Sequence, residues 1–330
     1  MANENTLLQV EHLKKYFYGS RKWFAGESQR SVVKEVDDVS FSIRRGETFG
    51  IVGESGCGKS TLGRSVIRLI EPTDGRILYD GVDLCSLSAE ELRLKRREIQ
   101  IIFQDPYASL NPRMTVRELI KAPLDVFSRD SEEKKMEQVR EIMSLVGLRE
   151  EFMHKYPHEF SGGQRQRIVI ARALILKPSF IFCDEPVSAL DASVRAQVLN
   201  LMKRIQKEMN LTYMFISHDL SVVRFLCDRI AVMYLGRIVE LATRDELYNH
   251  ALHPYTQALL SSIPVPDTDV KPNRIILQGE VPSPYHPPEG CHFHTRCPYA
   301  TEQCRTTAPE MRDAGNGHMV ACHRCAAAQG

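Results

Sequence analysis

The 330-residue chain has almost no net charge: 43 Lys and Arg stand against 42 Asp and Glu, a formal +1 with histidines neutral. No surplus of positive charge is available to hold a polyanion, so a dedicated nucleic-acid binder is disfavoured. The chain also lacks any apolar run approaching the roughly 20 residues that span a bilayer. Met1-Ala2-Asn3-Glu4-Asn5 is polar, with no basic segment, apolar stretch and small-residue cleavage site of a secretory leader. The expectation is a cytosolic protein that reaches a membrane only through a partner. Internal repeats are missing, and a single phosphate-binding loop is found. Cysteine breaks this pattern of scarcity. Cys57, Cys85, Cys183 and Cys227 are scattered, whereas Cys291, Cys297, Cys304, Cys322 and Cys325 crowd the last forty positions. In a reducing compartment disulfides rarely persist, which turns attention to other uses of those thiols.

At 37.6 kDa the chain can bury one large core and a smaller appendage. Alternating apolar and polar positions over Leu7–Glu54 predict strands interrupted by a loop at about Tyr18–Ser31, the last strand being Thr48–Val52. A helix is expected from Lys59 to Ile70, ended by Pro72-Thr73-Asp74-Gly75. A charged helix over Glu90–Arg97 leads to a strand at Ile99–Phe103. From Pro112 to about Glu159 the strand signals vanish, and Glu118–Phe127 and Glu132–Leu148 carry helical spacing, as a helical insert would. Strand pattern returns at Phe180–Cys183, followed by a helix at Val194–Glu208, a strand at Thr212–Ile216 and two short strands around Ile230–Leu241. Such alternation predicts an α/β fold with a mostly parallel sheet covered on both faces. Beyond Ser262, Pro264, Pro266, Pro272, Pro282, Pro284, Pro287 and Pro288 form a stiff linker ahead of the cysteines. The expected division is a nucleotide-binding domain at 1–262, with its helical insert at about 105–165, and a Pro- and Cys-rich module at 263–330.

Gly53-Glu54-Ser55-Gly56-Cys57-Gly58-Lys59-Ser60-Thr61 fits G-x-x-x-x-G-K-[ST] between a strand and a helix. Its glycines let successive N–H groups face phosphate oxygens, Lys59 adds a point charge, and the Ser60 hydroxyl is a candidate Mg²⁺ ligand. The apolar strand Phe180–Cys183 ends in Asp184-Glu185. Asp184 is a candidate metal partner through water, and Glu185 a candidate base for water attacking a γ-phosphorus. After another apolar strand, His218 is placed to stabilise charge on that phosphate. Gln104, after Ile99–Phe103, is a weaker candidate for contact with Mg²⁺ and the lytic water. Phe17, or Tyr16 beside it, is a candidate to stack on adenine.

A second phosphate cradle lies at Phe160-Ser161-Gly162-Gly163-Gln164, a Gly-rich turn opening a helix. Taken in order, these elements resemble the ATP-binding-cassette ATPases over roughly Leu7 to Leu241. Gly53–Thr61 matches the family's Walker A loop, Gln104 its Q-loop, and Phe160–Gln164 its signature motif with Phe for the usual Leu. Asp184-Glu185 matches the Walker B end, Ser188-Ala189-Leu190-Asp191 the D-loop, and His218 the switch histidine. The resemblance implies that Ser161, Gly162, Gly163 and Gln164 cap the ATP of a partner ATPase subunit. It implies that Asp191 borders the same site, and that the helical insert receives membrane subunits.

His253-Pro254-Tyr255-Thr256-Gln257-Ala258-Leu259-Leu260 and the cysteine tail narrow the resemblance to the oligopeptide/dipeptide permease ATPases, the dipeptide-importer F type. That implies a heterodimer with a second ATPase, two transmembrane permease subunits and an extracytoplasmic peptide-binding protein at a bacterial membrane. Nickel, glutathione or sugar import by the same ATPase type stands as an alternative cargo. A soluble cassette ATPase of translation or DNA repair is the alternative from another class. Cys291, Cys297, Cys304 and Cys322 are separated by five, six and seventeen residues, unlike the paired spacing of most zinc modules. Four thiolates suit zinc or an iron–sulfur cluster. The resemblance implies a [4Fe–4S] site, with Cys325 competing with Cys322 for the fourth place.

Overall fold

The computed structural model describes residues 5–19, 32–263 and 274–326. The loop residues 20–31 and the linker positions Pro264, Pro266 and Pro272 lie outside them. In chain order the strands are β1 (Thr6–Tyr18), β2 (Val32–Arg44), β3 (Thr48–Val52), β4 (Asp74–Tyr79), β5 (Val82–Asp83), β6 (Ile99–Ile102), β7 (Phe180–Asp184), β8 (Thr212–Ile216), β9 (Arg229–Tyr234), β10 (Arg237–Thr243), β11 (Arg312–Asp313) and β12 (Met319–Val320). The helices are α1 (Lys59–Val66), α2 (Ala89–Lys95), α3 (Pro106–Ser109), α4 (Val116–Phe127), α5 (Glu132–Leu145), α6 (Gly162–Leu174), α7 (Ala192–Met209), α8 (Leu220–Leu226), α9 (Arg244–Asn249), α10 (Pro254–Ser261), α11 (Glu302–Thr306) and α12 (His323–Ala326). None is long and apolar enough to cross a membrane among the described residues.

The described residues form two compact units, one from parts of Met1–Ile43, Phe49–Cys85 and Ile216–Gly330, the other from Arg44–Thr48 and Ser86–Phe215. In the first, β2-β1-β4-β5 make an antiparallel sheet, and β3 runs parallel to β9 with Val52 opposite Val232. β9 continues through antiparallel β10 to β12 and β11 of the tail. Every residue of β3 is buried, as expected of a strand covered on both faces. Phe49 stacks on Phe41 with centroids 5.0 Å apart.

In the second unit, β6 and β7 pair in parallel, Ile102 opposite Cys183, and β7 and β8 are buried throughout. Helices α3, α4, α5 and α6 lie between β6 and β7 in the chain, with α4 and α5 burying Leu119, Ile120, Val139 and Met143. Arg165 of α6 ties this region down: its guanidinium donates to the Pro157 carbonyl at 2.6 Å and lies 3.8 Å over the Tyr107 ring.

Three sequence expectations change. The helix expected to reach Ile70 stops at Val66, because Arg68 turns left-handed (φ 53°) and the Leu69 and Ile70 amides fold back onto the Arg64 carbonyl. The helix expected to reach Leu148 stops at Leu145, where Gly147 takes φ 73° and the Leu148 amide closes onto Met143. Strand β4 follows the Asp74-Gly75 turn and was not anticipated. The turn residues hide it, and its partners in β1 lie sixty to seventy-one positions earlier.

Buried Glu240 joins three segments: its carboxylate accepts the Leu252 and His253 amides at 2.7 and 3.0 Å and meets His318 Nε2 of the tail at 2.7 Å. His253, 1% exposed, accepts the Tyr255 amide through Nδ1 and so caps α10. Burial holds His253 down at about 4, against the opposing pull of Glu240. Above about pH 6.5 the residue is neutral in folded and unfolded chains alike. Between 6.5 and 4 only the unfolded chain takes the proton, so stability is lost as pH falls. Denaturant titrations at pH 7.5 and 5 are expected to show a loss about 2 kcal/mol smaller in His253→Asn, which keeps a capping acceptor, than in the parent. Equal losses in the two proteins would remove His253 as the cause.

Candidate functional site

The Gly53–Thr61 loop leaves β3 and enters α1 as the motif requires. Gly58 has φ 100°, and a Cβ there would sit 2.0 Å from the Glu35 carbonyl oxygen, so only glycine fits. Lys59, 6% exposed, donates its ammonium to the Gly53 and Glu54 carbonyls at 2.8 Å each. Thr61 donates to the Glu35 carboxylate. Ser55 and Gly56 are exposed at the crest of the loop, Ser60 is half-buried, and Cys57 is buried with its thiol pushed up by that burial. The Cys57 carbonyl accepts the Gly236 amide from the β9–β10 turn at 3.0 Å.

The second unit brings Gln104 and Glu185 together. Two residues beyond the Ile102–Cys183 register pair, Gln104 Nε2 donates to Glu185 Oε2 at 3.1 Å. Glu185 has a left-handed backbone (φ 49°), unusual for a side-chain-bearing residue, and its carbonyl accepts the Ser188 amide and hydroxyl at 3.2 and 3.0 Å. Asp184 is 2% exposed at the strand end, a burial that a carboxylate tolerates only with compensating donors or cations. In the first unit His218 is exposed just after β8, and the next residue, Asp219, caps α8 by accepting the Ser221 and Val222 amides.

Helix α6 opens at the turn the sequence implies, with its N-cap Ser161 and its third residue Gln164 bonded to each other. Ser161 Oγ accepts the Gln164 amide while Gln164 Oε1 accepts the Ser161 amide, a reciprocal cap that orients the first turn. A Cβ on Gly163 would lie 2.3 Å from Val194 Cγ1 of α7, so close packing of α6 on α7 is one reason for that glycine. Gly162 has more room, its nearest contact being Leu190 at 3.5 Å. Phe160, replacing the usual Leu, is buried edge-to-face on Phe152 at 5.4 Å. Asp191 caps α7 through the Val194 amide and the Ser193 hydroxyl, which hold its carboxyl below the usual range. Of the two aromatic candidates, Tyr16 commits its hydroxyl to Asp37, whereas Phe17 is 39% exposed with the Lys15 ammonium 4.9 Å from its ring centre.

Sequence reasoning gave no role to Glu35, Tyr255 or Arg296, yet all three touch the Gly53–Thr61 loop. The Glu54 amide donates to Tyr255 Oη at 2.9 Å, and the Glu54 carboxylate receives Arg296 at 2.8 and 3.2 Å. These partners lie 201 and 242 residues away, beyond any local signal.

In the tail, Cys291, Cys297, Cys304 and Cys322 line one cavity of about 260 Å³ together with His294 and His323. Cys325 is not among its walls; its thiol faces the Leu252 carbonyl at 3.9 Å. Burial pushes the Cys291 thiol up to about 11. Among the described residues, no three His, Cys, Asp or Glu side chains are arranged to hold a single metal ion.

Residues 36–188 match the ABC transporter family, and residues 239–304 match the oligopeptide/dipeptide transporter C-terminal region. The chain is 56% identical to the oligopeptide transport ATP-binding protein AppF of Bacillus subtilis over 98% of each protein. It is 51% identical to a putative peptide import ATP-binding protein of Brucella ovis, over 97% of this chain and 98% of that one. The dimeric post-hydrolysis structure of the ATP-binding cassette MJ0796 with ADP and Pi superimposes with a TM-score of 0.62 at 30% identity, covering 72% of this chain and 98% of that one. The cbiO1 subunit of the Clostridium perfringens cbiONQ transporter gives 0.64 at 28% identity, over 75% and 92%. The strand–loop–helix at Gly53–Thr61, the α/β architecture and the matched tail thus lead to one assignment: the chain belongs to the ABC ATP-binding subunits of the oligopeptide/dipeptide transporter family.

Proposed function

We propose that this chain hydrolyses ATP to energise import of dipeptides or oligopeptides across a bacterial membrane. It would sit at the cytoplasmic face with two transmembrane permease subunits, a second ATPase and an extracytoplasmic peptide-binding protein. The observation that carries the ATPase reading is the Gln104–Glu185 hydrogen bond, which aims a half-buried carboxylate from the end of a rigid strand. Family membership of the tail and the full-length likeness to named peptide-transport ATPases support the cargo.

In this reading the amides of Gly53, Ser55, Gly56, Cys57, Gly58 and Thr61 bind phosphate, Glu54 shapes the cradle with its own amide held by Tyr255 Oη, and the Lys59 ammonium shifts from its two carbonyl partners to phosphate oxygens. Phe17 stacks on the adenine. Glu185 accepts a proton from water as that water's oxygen attacks the γ-phosphorus and the bond to the ADP oxygen breaks. Gln104 orients the carboxylate and the water, while His218 stabilises charge on the departing phosphoryl oxygens. Mg²⁺ carried with ATP would neutralise phosphate charge, and Ser60, Gln104 and, through water, Asp184 would be the residues to hold it. The turn Ser161-Gly162-Gly163-Gln164, its ends tied by the Ser161–Gln164 cap, presents the Gly162 and Gly163 amides to the partner's ATP, beside Asp191.

The four thiols that line one cavity would hold a [4Fe–4S] cluster, a group that takes four Cys ligands. Cys322 rather than Cys325 supplies the fourth ligand in this arrangement. Its role is to brace the tail.

Glu185→Gln is expected to retain ATP binding while turnover falls about 100-fold or more, read by nucleotide binding and phosphate release. Preserved hydrolysis would remove Glu185 as the base. Labelled dipeptides should accumulate in proteoliposomes holding the assembled complex only with ATP inside the nucleotide-accessible compartment; uptake of nickel or glutathione in their place would change the cargo. Anaerobically purified protein should be brown, with iron, and should lose its visible absorbance on Cys297→Ser. Colourless protein with stoichiometric zinc would reverse the choice of metal.

A further inference from the structure

We propose that Arg296 of the cysteine tail is a positioning residue for the phosphate-binding loop, acting through Glu54 so that the tail sets nucleotide affinity. Glu54, the second residue of the loop, is held at three points. Tyr255 Oη takes its amide at 2.9 Å, Lys59 Nζ donates to its carbonyl at 2.8 Å, and Arg296 donates to both carboxylate oxygens at 2.8 and 3.2 Å. The paired geometry fixes orientation as well as distance, which a single lysine-type contact does not.

Arg296 is itself firmly placed. Its side chain is only 8% exposed, against 27% for Glu54, so the pair is shielded from the screening that weakens surface ion pairs. It lies between Cys291 and Cys297, and Phe293, three residues before it, is 1% exposed in an aromatic cluster with Tyr234 at 5.2 Å and Tyr255 at 5.4 Å. A second contact runs in parallel: His292 Nδ1 meets the Leu235 carbonyl at 3.0 Å, and the adjoining Gly236 amide donates to the Cys57 carbonyl at 3.0 Å. The tail therefore reaches the loop both at its second residue and at its fifth.

The consequence concerns the cost of ordering. On binding ATP, Lys59 leaves the Gly53 and Glu54 carbonyls, and the loop loses the internal cation that had gathered them. With Glu54 still gripped by Arg296 and Tyr255, the loop amides stay aimed and binding is spared that ordering entropy. Glu185 and Gln104 take no part in this contact, so the chemical step is untouched. The effect falls on affinity.

The proposal rests on the loop being the ATP cradle, and is independent of what the four thiols hold. The full chain, with Mg·ATP and a fluorescent ATP analogue, is compared with Arg296→Gln, Arg296→Lys, Glu54→Gln and the Arg296→Gln/Glu54→Gln double variant. Arg296→Gln is expected to raise Kd and KM about tenfold with kcat within about twofold, a loss of about 1.4 kcal/mol. Arg296→Lys, keeping charge but not the fork, should lie between it and the parent. In the double variant the two changes should fall short of additive. Unchanged affinity in both Arg296 variants, full additivity, or a fall in kcat at constant KM would overturn the proposal. Lys59→Ala separates the two levels: normal ATP binding in that variant would sink the cradle reading itself, whereas lost binding there with unaltered Arg296 variants sinks only the role of Arg296.

Discussion

Backbone amides can be turned towards a phosphate only where side chains stay out of the way, and the first unit is organised around that constraint. The Glu35 carbonyl crowds Gly58 and the Met233 carbonyl crowds Gly53, so neither position admits a Cβ. Around those glycines the loop is gripped from every element near it: β2 through Glu35 to Thr61, the β9–β10 turn to Cys57, α10 to the Glu54 amide and the tail to its carboxylate. A loop of this composition would be costly to order alone, because glycine loses the most conformational freedom on folding. Here its order is borrowed from neighbours that are themselves buried, Tyr255 at 0% exposure among them.

The second unit solves a different problem, that of aiming one carboxylate. Parallel pairing of β6 with β7 settles which residues emerge side by side, and Gln104 and Glu185 are the pair that results. The left-handed backbone at Glu185 departs from what its residue type prefers, and the Ser188 contacts to its carbonyl hold it there. Ser161 and Gln164 use their side chains to cap their own helix, leaving the first turn of α6 with fixed direction.

Much of this was legible in the residues. Thr48–Val52 and Thr212–Ile216 form strands with the bounds their residues predict, because five apolar-rich residues between turn signals are strand-length rather than helix-length. The Gly53–Thr61 loop was equally plain, since its motif and context agree. What stayed hidden was pairing at long range. β4 needs β1, and β12 needs β10, yet neither two-residue β12 nor β4 after its turn carries enough local pattern to be seen. Gly163 carries a second demand hidden for the same reason: its motif points to phosphate, and only the neighbouring Val194 reveals how closely the helix packs there. The Pro- and Cys-rich tail also packs into a core shared with the rest of the first unit, through Phe293 against Tyr234 and Tyr255 and through His318 against Glu240.

That sharing bears on how the molecule avoids its own copies. Strand β10, with five of its seven residues buried, would be left with one side of its hydrogen-bonding groups open if β12 were removed. Such an open edge is a template on which another chain can add a strand, and a long apolar one invites aggregation. Two residues, Met319 and Val320, close it by pairing with Leu241 and Glu240, and β11 beyond them is short, exposed and charged. The last strands of the chain thus act as a guard on the sheet, and a shortened protein would suffer first in solubility, before any question of thiols arises.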